Sequence, residues 1–353
     1  MMASTSASNS RFVAWRRGRG AILAACIVLA AVVAPASAQV TSPHAIDHPA
    51  WFVETFLDVR DDVAEARKAG KRLMLYFGQD GCPYCRELLQ NNFSQKSIAD
   101  KARKHLLPIG LNIWGDRTVT WIDGRQMPEK ELARVLKVQF TPTLLFFDEK
   151  GEIIVRLNGY VPPNRLEPAI DYVAGRMERK VRFADYAQTV VLEPAADRLN
   201  EQPFFLPSPS DLRRKPGAKP LAVLFETRHC KACDEMHREG FARPEVRELV
   251  TRFDVVRFAL GDRSAIVTPG GVRTTADAWA KSLAIAYTPS IVFFEPAGRE
   301  VFRIEAYLRP FHLASSFEYV ATGAWKEQPS FQRFLQARAD RIRAKTGKVD
   351  LWK

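Results

Sequence analysis

Four cysteines of the chain form two pairs with the same short spacing, an arrangement that can carry out disulfide chemistry. The pairs are Cys82-Pro83-Tyr84-Cys85 and Cys230-Lys231-Ala232-Cys233. The thiolate form of a cysteine attacks a disulfide, so the attacking residue needs a lowered pKa. Two intervening residues place the second sulfur one helical turn further on, within reach of a mixed disulfide. We expect the first cysteine of each pair, Cys82 or Cys230, to attack. Its partner, Cys85 or Cys233, then resolves the mixed disulfide.

The elements around each pair predict how the attacking thiol is activated. An apolar run typical of a strand precedes each pair, at residues 73–77 and 221–225, and an amphipathic helical pattern begins at the first cysteine. Unpaired N–H groups and the dipole at a helix N-terminus stabilise a thiolate. Pro83 suits the first helical turn, because its missing N–H would have no partner there. Lys231 and, when protonated, His229 would add cations beside Cys230.

The chain repeats itself with a period close to 147 residues. Cys230 follows Cys82 by 148 residues, and several short motifs recur in register: Gly115-Asp116-Arg117 with Gly261-Asp262-Arg263, Thr141-Pro142-Thr143 with Thr288-Pro289-Ser290, Phe146-Phe147 with Phe293-Phe294, and Tyr172-Val173 with Tyr319-Val320. A period of this length corresponds to a domain and not to a solenoid repeat. The chain therefore contains two copies of one domain.

Each copy has the same predicted order of elements: strand, helix, strand, helix, two strands joined by a tight turn, and a closing helix. This order predicts an α/β fold with a mixed central sheet flanked by helices. We assign the two domains to residues 44–188 and 220–345, followed by a basic tail at 346–353. Residues 189–219 are rich in proline and are interpreted as a semi-rigid linker with short packed segments.

The N-terminus predicts export. Residues 1–38 combine four arginines and no acidic residue with an apolar stretch from Ala21 to Ala34 and the small-residue motif Ala36-Ser37-Ala38. These features are typical of a secretory signal peptide that is cleaved before Gln39. The apolar stretch is shorter than the roughly 20 residues needed to cross a membrane, which argues against a permanent anchor. We therefore expect a periplasmic protein.

Composition and charge exclude several classes of protein. The chain has 353 residues, of which 46% are hydrophobic and 26% charged, with 22 Pro and 19 Gly. These values exclude collagen-like and wholly disordered chains, and a single long apolar run excludes a polytopic membrane protein. The net charge is +12, but no basic stripe with interleaved aromatic residues occurs. We therefore expect no nucleic-acid partner.

Together with the cysteine pairs, the Thr-Pro motifs resemble the thioredoxin superfamily. Pro142 lies 60 residues after Cys82 and Pro289 lies 59 after Cys230, each just before an apolar strand pattern. In that superfamily a cis-proline loop faces the Cys-x-x-Cys motif and offers a backbone edge to the substrate. The resemblance covers most of residues 55–340. It implies two tandem thioredoxin-like domains and substrate binding by the residues of both loops, Thr141, Pro142, Thr288 and Pro289.

A narrower resemblance suggests the direction of electron flow. The irregular segment at residues 112–128 and the stretch from Thr141 to Asp148 resemble periplasmic SoxW-like thioredoxins and the C-terminal domain of DsbD. Those relatives are thiol reductases that receive electrons from a membrane transporter of the DsbD or CcdA type. The resemblance implies that this chain reduces disulfide-containing envelope proteins. The Cys82–Cys85 and Cys230–Cys233 dithiols are themselves the electron carriers, so we expect no cofactor and no bound metal.

Departures from the family pattern leave two questions open. Ordinary thioredoxins carry a buried Asp six residues before the first cysteine, where this chain has Tyr76 and Leu224. Asp80 and Glu226 lie near the pairs, but the proton acceptor for the resolving thiol is not assigned. The direction is also open, because a two-site oxidase or isomerase resembling protein disulfide isomerase would carry the same motifs.

A non-enzymatic alternative is a metal-binding or chaperone module. Three groups of the second pair share a helix face at positions i, i+3 and i+7, and one further histidine precedes them. Such a set could bind zinc or copper, with the ligands His229, Cys230, Cys233 and His237. The first pair has no such histidines. The recurrence of Thr-Pro beside both pairs favours redox chemistry over metal binding.

Overall fold

The computed structural model describes residues 47–190, 195–207, 211–215 and 217–351. The expected signal peptide at 1–38, the first residues of the domain assigned to 44–188, and Pro194, Pro209 and Pro216 of the expected linker lie outside these residues. Within the described part of the chain, no helix is both long enough and apolar enough to cross a lipid bilayer.

The first domain is built around a four-stranded mixed sheet with the strand order β2-β1-β5-β6. β1 pairs in parallel with β2 and antiparallel with β5, and β5 pairs antiparallel with β6. The two central strands are buried on both faces, which explains their continuous apolar sequences. The strands are β1 (Arg72–Gly78), β2 (Leu106–Asn112), β5 (Thr143–Phe147) and β6 (Ile153–Asn158), with a separate hairpin of β3 (Thr118–Thr120) and β4 (Gln126–Pro128).

Helices cover both faces of this sheet. α1 (Val59–Lys68) and α4 (Glu129–Val135) pack on one face through leucine, valine and phenylalanine side chains. The opposite face is covered by α2 (Pro83–Glu87), α3 (Lys96–His105) and α5 (Pro163–Ala174). A π-helical turn at Leu88–Asn92 continues α2, and α6 (Phe183–Val190) follows α5.

The second domain repeats this architecture in a sheet with the order β12-β11-β7-β8. Its strands are β7 (Leu221–Glu226), β8 (Asp254–Ala259), β11 (Ser290–Phe294) and β12 (Glu300–Ile304), with a hairpin of β9 (Ala265–Val267) and β10 (Arg273–Thr275). Its helices are α7 (Lys231–Glu235), α8 (Pro244–Val250), α9 (Ala276–Ser282), α10 (Pro310–Ala321) and α11 (Phe331–Thr346), with a π-helical turn at Met236–Phe241. The expected α/β fold, with a mixed sheet in each half, is confirmed.

The described residues between the domains pack against the second domain. Phe205 forms a β-bridge with Val255, and Asp211 forms one with Val267. Leu212 is buried against the sheet face that corresponds to the one covered by α1 in the first domain. This part of the expected linker is therefore attached to the second domain along its length.

The two domains belong to one compact unit and exchange aromatic side chains. Phe140 of the first domain is buried in the core of the second, and Tyr287 of the second domain is buried in the core of the first. Between the outer strands β6 and β12, the Asn158 side-chain amide donates a hydrogen bond to the Glu305 carboxylate. The domains are thus joined by a shared apolar core as well as by the chain.

Two candidate dithiol sites

The first site begins at the N-terminus of α2, where the sequence placed it. Cys82 is the N-cap residue, and Pro83 occupies the first turn. The Cys82 Sγ atom accepts a hydrogen bond from the Cys85 backbone N–H at 3.0 Å. The two cysteines form a disulfide in this structure. Because this N–H has no helical acceptor, it is available to stabilise a thiolate on Cys82 in the reduced form.

The predicted proline loop lies directly against this sulfur. The Thr141-Pro142 peptide bond is cis. The Thr141 hydroxyl oxygen lies 3.4 Å from Cys82 Sγ, and the Thr141 carbonyl oxygen lies 3.5 Å from it. The structure therefore brings together Cys82, Cys85, Thr141 and Pro142, although Pro142 follows Cys82 by 60 residues in the chain.

The second site has the same local geometry. Cys230 is the N-cap residue of α7, its Sγ accepts the Cys233 N–H at 3.1 Å, and the two cysteines form a disulfide. The Thr288-Pro289 bond is also cis. The Thr288 hydroxyl lies 3.1 Å from that of Thr227, which is in the loop leading to Cys230. Cys230 and Cys233 thus lie at the start of α7, and Thr288 and Pro289 lie on a loop that contacts the segment leading to Cys230.

The cations expected beside Cys230 are shared with carboxylates. His229 Nε2 lies 3.1 Å from Asp197 Oδ1 on the interdomain segment. Lys231 Nζ lies 4.0 Å from Glu235 Oε1, one turn further along the helix. Both side chains are largely exposed, so solvent also screens their charge. Their effect on Cys230 is therefore smaller than the sequence alone suggests.

The four-ligand metal site that the spacing allowed is not formed. His237 is buried, with Nε2 at 2.8 Å from Glu226 Oε1 and Nδ1 at 2.9 Å from Gln202 Nε2. Both ring nitrogens are therefore engaged away from the cysteines. Across the described ranges, no three His, Cys, Asp or Glu side chains are grouped in a way that could hold a metal ion.

Glu226 distinguishes the second site from the first. It ends β7, is fully buried, and has one carboxylate oxygen, Oε2, without a hydrogen-bond partner in the described structure. The corresponding position in the first domain is Gly78, and Asp80 nearby is exposed. The sequence showed Glu226 close to the pair, but its burial and its contact with His237 depend on the folded arrangement.

Both attacking cysteines are buried, and residues of the opposite domain line a cavity at each site. Cys82 is 5% exposed and Cys230 is 3% exposed. A cavity of about 490 Å³ at Cys82 is lined on one side by Tyr84 and Trp114 of the first domain and on the other by residues of α10 and α11. A cavity of about 360 Å³ at the second site is lined by its loops and by α6 of the first domain.

The Tyr84 side chain, which lies between the cysteines of the first pair, lines the cavity at Cys82 and contacts the second domain. Its hydroxyl accepts a hydrogen bond from the Arg309 backbone N–H at 3.3 Å, and its ring lies 5.1 Å from that of His312. Burial raises the pKa of the Tyr84 hydroxyl and lowers the pKa of His312 to about 4. Both groups are therefore uncharged at neutral pH.

This fold and these paired cysteines define a protein with two thioredoxin-like redox sites. The model of the thioredoxin-like domain family matches residues 59–174 and 213–321, more than half of the chain. The chain belongs to this family, with two tandem domains. At this general level, the fold and the close cysteine pairs support a role as a thiol-disulfide redox enzyme.

Several solved structures are similar to parts of the chain. A thioredoxin-fold protein from Helicobacter pylori is 23% identical, covering 38% of this chain and 90% of its own, with a TM-score of 0.30. A thioredoxin from Thermus thermophilus is 24% identical, with coverages of 33% and 83% and a TM-score of 0.26. The DsbD C-terminal domain of Neisseria meningitidis in its reduced form is 17% identical, with coverages of 29% and 82% and a TM-score of 0.24. A search of curated proteins found no match.

Proposed function

We propose that the protein is an exported thiol-disulfide oxidoreductase that reduces disulfides in the bacterial envelope through two dithiol sites. An upstream membrane dithiol donor of the DsbD or CcdA type would return it to the reduced form. The observation that carries the proposal is the position of Cys82 Sγ, at a helix N-terminus and 3.4 Å from the threonine hydroxyl of the cis-proline loop.

The reaction follows from the geometry of each pair. In the reduced protein the Cys82 thiolate, held by the Cys85 N–H, attacks one sulfur of the target disulfide and forms a mixed disulfide. Cys85, one turn along the helix, then attacks Cys82 Sγ and releases the second target sulfur as a thiol. The protein dithiol loses two electrons and the target gains them. Cys230 and Cys233 act in the same way at the second site.

The surroundings of the sulfurs favour the reducing direction. A disulfide is strongly oxidising when its reduced form is stabilised, usually by contacts that hold the thiolate. Here the donors that would hold the Cys82 thiolate, the Cys85 N–H and the Thr141 hydroxyl, carry no net charge, and the cations near Cys230 are paired with carboxylates. Burial of both attacking cysteines acts against these donors, because it disfavours the charged thiolate relative to the neutral disulfide. Both sites should therefore yield electrons readily.

Separate reduction potentials test this direction. The Cys230→Ser/Cys233→Ser variant isolates the first site, and the Cys82→Ser/Cys85→Ser variant isolates the second. Titration of each against a dithiothreitol or glutathione buffer should give values nearer to about −270 mV, typical of thioredoxin, than to about −120 mV, typical of the oxidant DsbA. Reduction potentials near about −120 mV for both sites would contradict the proposed reductase and favour an oxidase or isomerase. Export would be tested by mass spectrometry of the protein isolated from the periplasm, whose first residue should be Gln39.

A further inference from the structure

Each domain places one aromatic residue, directly before its cis-proline motif, inside the other domain. The Phe140 ring lies 5.3 Å from that of Phe331, and the Tyr287 ring lies 5.5 Å from that of Phe183. Phe331 begins α11 and Phe183 begins α6, so the two contacts are equivalent. Each site therefore faces a helix of the other domain across a well-packed aromatic contact.

Polar contacts from the opposite domain occupy the backbone of both cis-proline loops. The Gln332 side-chain amide donates to the Gln139 carbonyl at 3.0 Å, and Gln79 donates to both Gln332 Oε1 at 2.7 Å and Thr141 Oγ1 at 3.0 Å. At the second site, Arg165 of the first domain donates to the Thr288 carbonyl at 2.9 Å. An extended peptide binds along an exposed backbone edge through hydrogen bonds of this kind. In this structure, two backbone acceptors of these loops, the Gln139 and Thr288 carbonyls, already accept hydrogen bonds from the opposite domain.

The space that remains at Cys82 has the size of a small-molecule pocket. Its volume is about 490 Å³, within the range of roughly 300–1,000 Å³ found for small-ligand sites. Its walls combine aromatic surface from Tyr84, Trp114 and Phe311 with polar groups such as Gln336. A folded protein cannot bring a disulfide into this space while α11 is seated, whereas an organic disulfide of a dozen heavy atoms can enter it.

We infer that the Cys82–Cys85 site acts on small organic disulfides while the second domain is seated, and that proteins, including the proposed membrane donor, reach it only when α11 is displaced. This inference rests on the proposed function and narrows its substrate class. In the reaction, Cys82 S⁻ attacks a disulfide R–S–S–R and expels R–S⁻. Cys85 S⁻ then attacks Cys82 Sγ and expels the second R–S⁻. The protein gains one disulfide bond, and the two protons of its thiols pass to the two R–SH products.

The test uses the mature chain with Cys230→Ser/Cys233→Ser, fully reduced and freed of reductant. Its rate of oxidation is measured with 3,3′-dithiodipropionate, with cystamine and with insulin. Each rate is divided by the rate of the same disulfide with free dithiothreitol, which has no pocket. This correction removes differences in the intrinsic reactivity of the three disulfides. We expect the corrected rates for both small disulfides to exceed the rate for insulin by at least about tenfold.

A variant that loosens the cover should remove this preference. Gln332→Ala loses two hydrogen bonds between α11 and the first domain, and a net hydrogen bond corresponds to about a fivefold change in an opening equilibrium. The corrected insulin rate should therefore rise at least about fivefold, with the small-disulfide rates nearly unchanged. Gln126→Ala, at an exposed glutamine on β4, is the matched control.

The outcomes separate the inference from the proposed function. If insulin and the small disulfides react at equal corrected rates, the size restriction is wrong and the reductase remains. The same holds if Gln332→Ala leaves the insulin rate unchanged. If none of the three disulfides oxidises a protein with two titratable thiols, the proposed function itself fails.

Discussion

A buried carboxylate in α1 provides a sharp test of the electrostatics of the first domain. Asp62 is 4% exposed, and its Oδ2 atom has no hydrogen-bond partner among the described residues. Burial raises the pKa of Asp62 from 3.8 to about 6, against the opposing effect of a hydrogen bond from Thr55. The folded protein therefore binds this proton more tightly than the unfolded chain does.

The raised pKa of Asp62 makes the free energy of unfolding depend on pH. Since the folded-state pKa lies above the unfolded value, the ionised carboxylate destabilises the fold increasingly as the pH rises from about 4 to about 6. A difference of about 2.2 in pKa corresponds to about 3 kcal/mol at pH 8. Asp62→Asn keeps an acceptor for Thr55 but buries an amide. We therefore expect it to stabilise the protein by about 1–3 kcal/mol at pH 8 and to be nearly neutral at pH 3.

Urea unfolding of the wild type and of Asp62→Asn at pH 3, 6 and 8 would measure this effect. Asp61→Asn is the matched control, because Asp61 is exposed in the same first turn of α1 and carries the same charge. The control should change the free energy of unfolding by less than about 1 kcal/mol at every pH. A difference between Asp62→Asn and wild type that does not grow with pH would refute the reasoning.

Two further predictions concern other buried charged or titratable groups. Arg72 is 4% exposed and bonds to Glu149 at 2.9 Å, to Glu178 at 2.8 Å and to the Val173 carbonyl at 3.0 Å. Arg72→Met should therefore lower the free energy of unfolding, measured in urea, by about 3–5 kcal/mol. The exposed Arg67→Met should lower it by less than about 1 kcal/mol. Equal decreases for the two variants would contradict this prediction. Burial lowers the pKa of His312 to about 4, below its ordinary 6.5, so the neutral ring is favoured in the fold and stability should fall as the pH drops from about 6.5 to 4. His312→Gln should flatten that part of a Tm-against-pH profile; identical profiles for wild type and His312→Gln would count against it.

Much of the fold could be predicted from local sequence. The apolar runs before each cysteine pair became β1 and β7, and both cysteine pairs begin a helix, because strand and helix patterns are set by residues close in the chain. Because whole motifs recur, the elements of the second domain could be predicted from those of the first. The π-helical turns that continue α2 and α7 have no comparable local pattern, and the sequence did not indicate them.

The relation between the two domains could not be predicted in the same way. The sequence does not indicate that Phe140 and Tyr287 enter the core of the opposite domain, because the identity of an apolar side chain does not specify which core it joins. A signal was present in the repeat. Tyr287 follows Phe140 by 147 residues, and their contact partners, Phe183 and Phe331, are separated by 148. The interdomain segment was expected from its prolines to be a semi-rigid linker with short packed segments. Its aromatic pair, Phe204 and Phe205, packs against the second core, but the prolines did not indicate which domain it would contact.

The contact between Asn158 and Glu305 has a consequence for how such a molecule can be assembled. The two residues occupy equivalent places in the duplicated sequence, 147 residues apart, and the amide donates to the carboxylate. In an isologous homodimer of one domain, a residue on the symmetry axis faces its own copy. Such a dimer would set asparagine against asparagine, or two mutually repelling glutamates against each other. Fusing two diverged copies in one polypeptide removes that constraint, so complementary groups can meet on the axis.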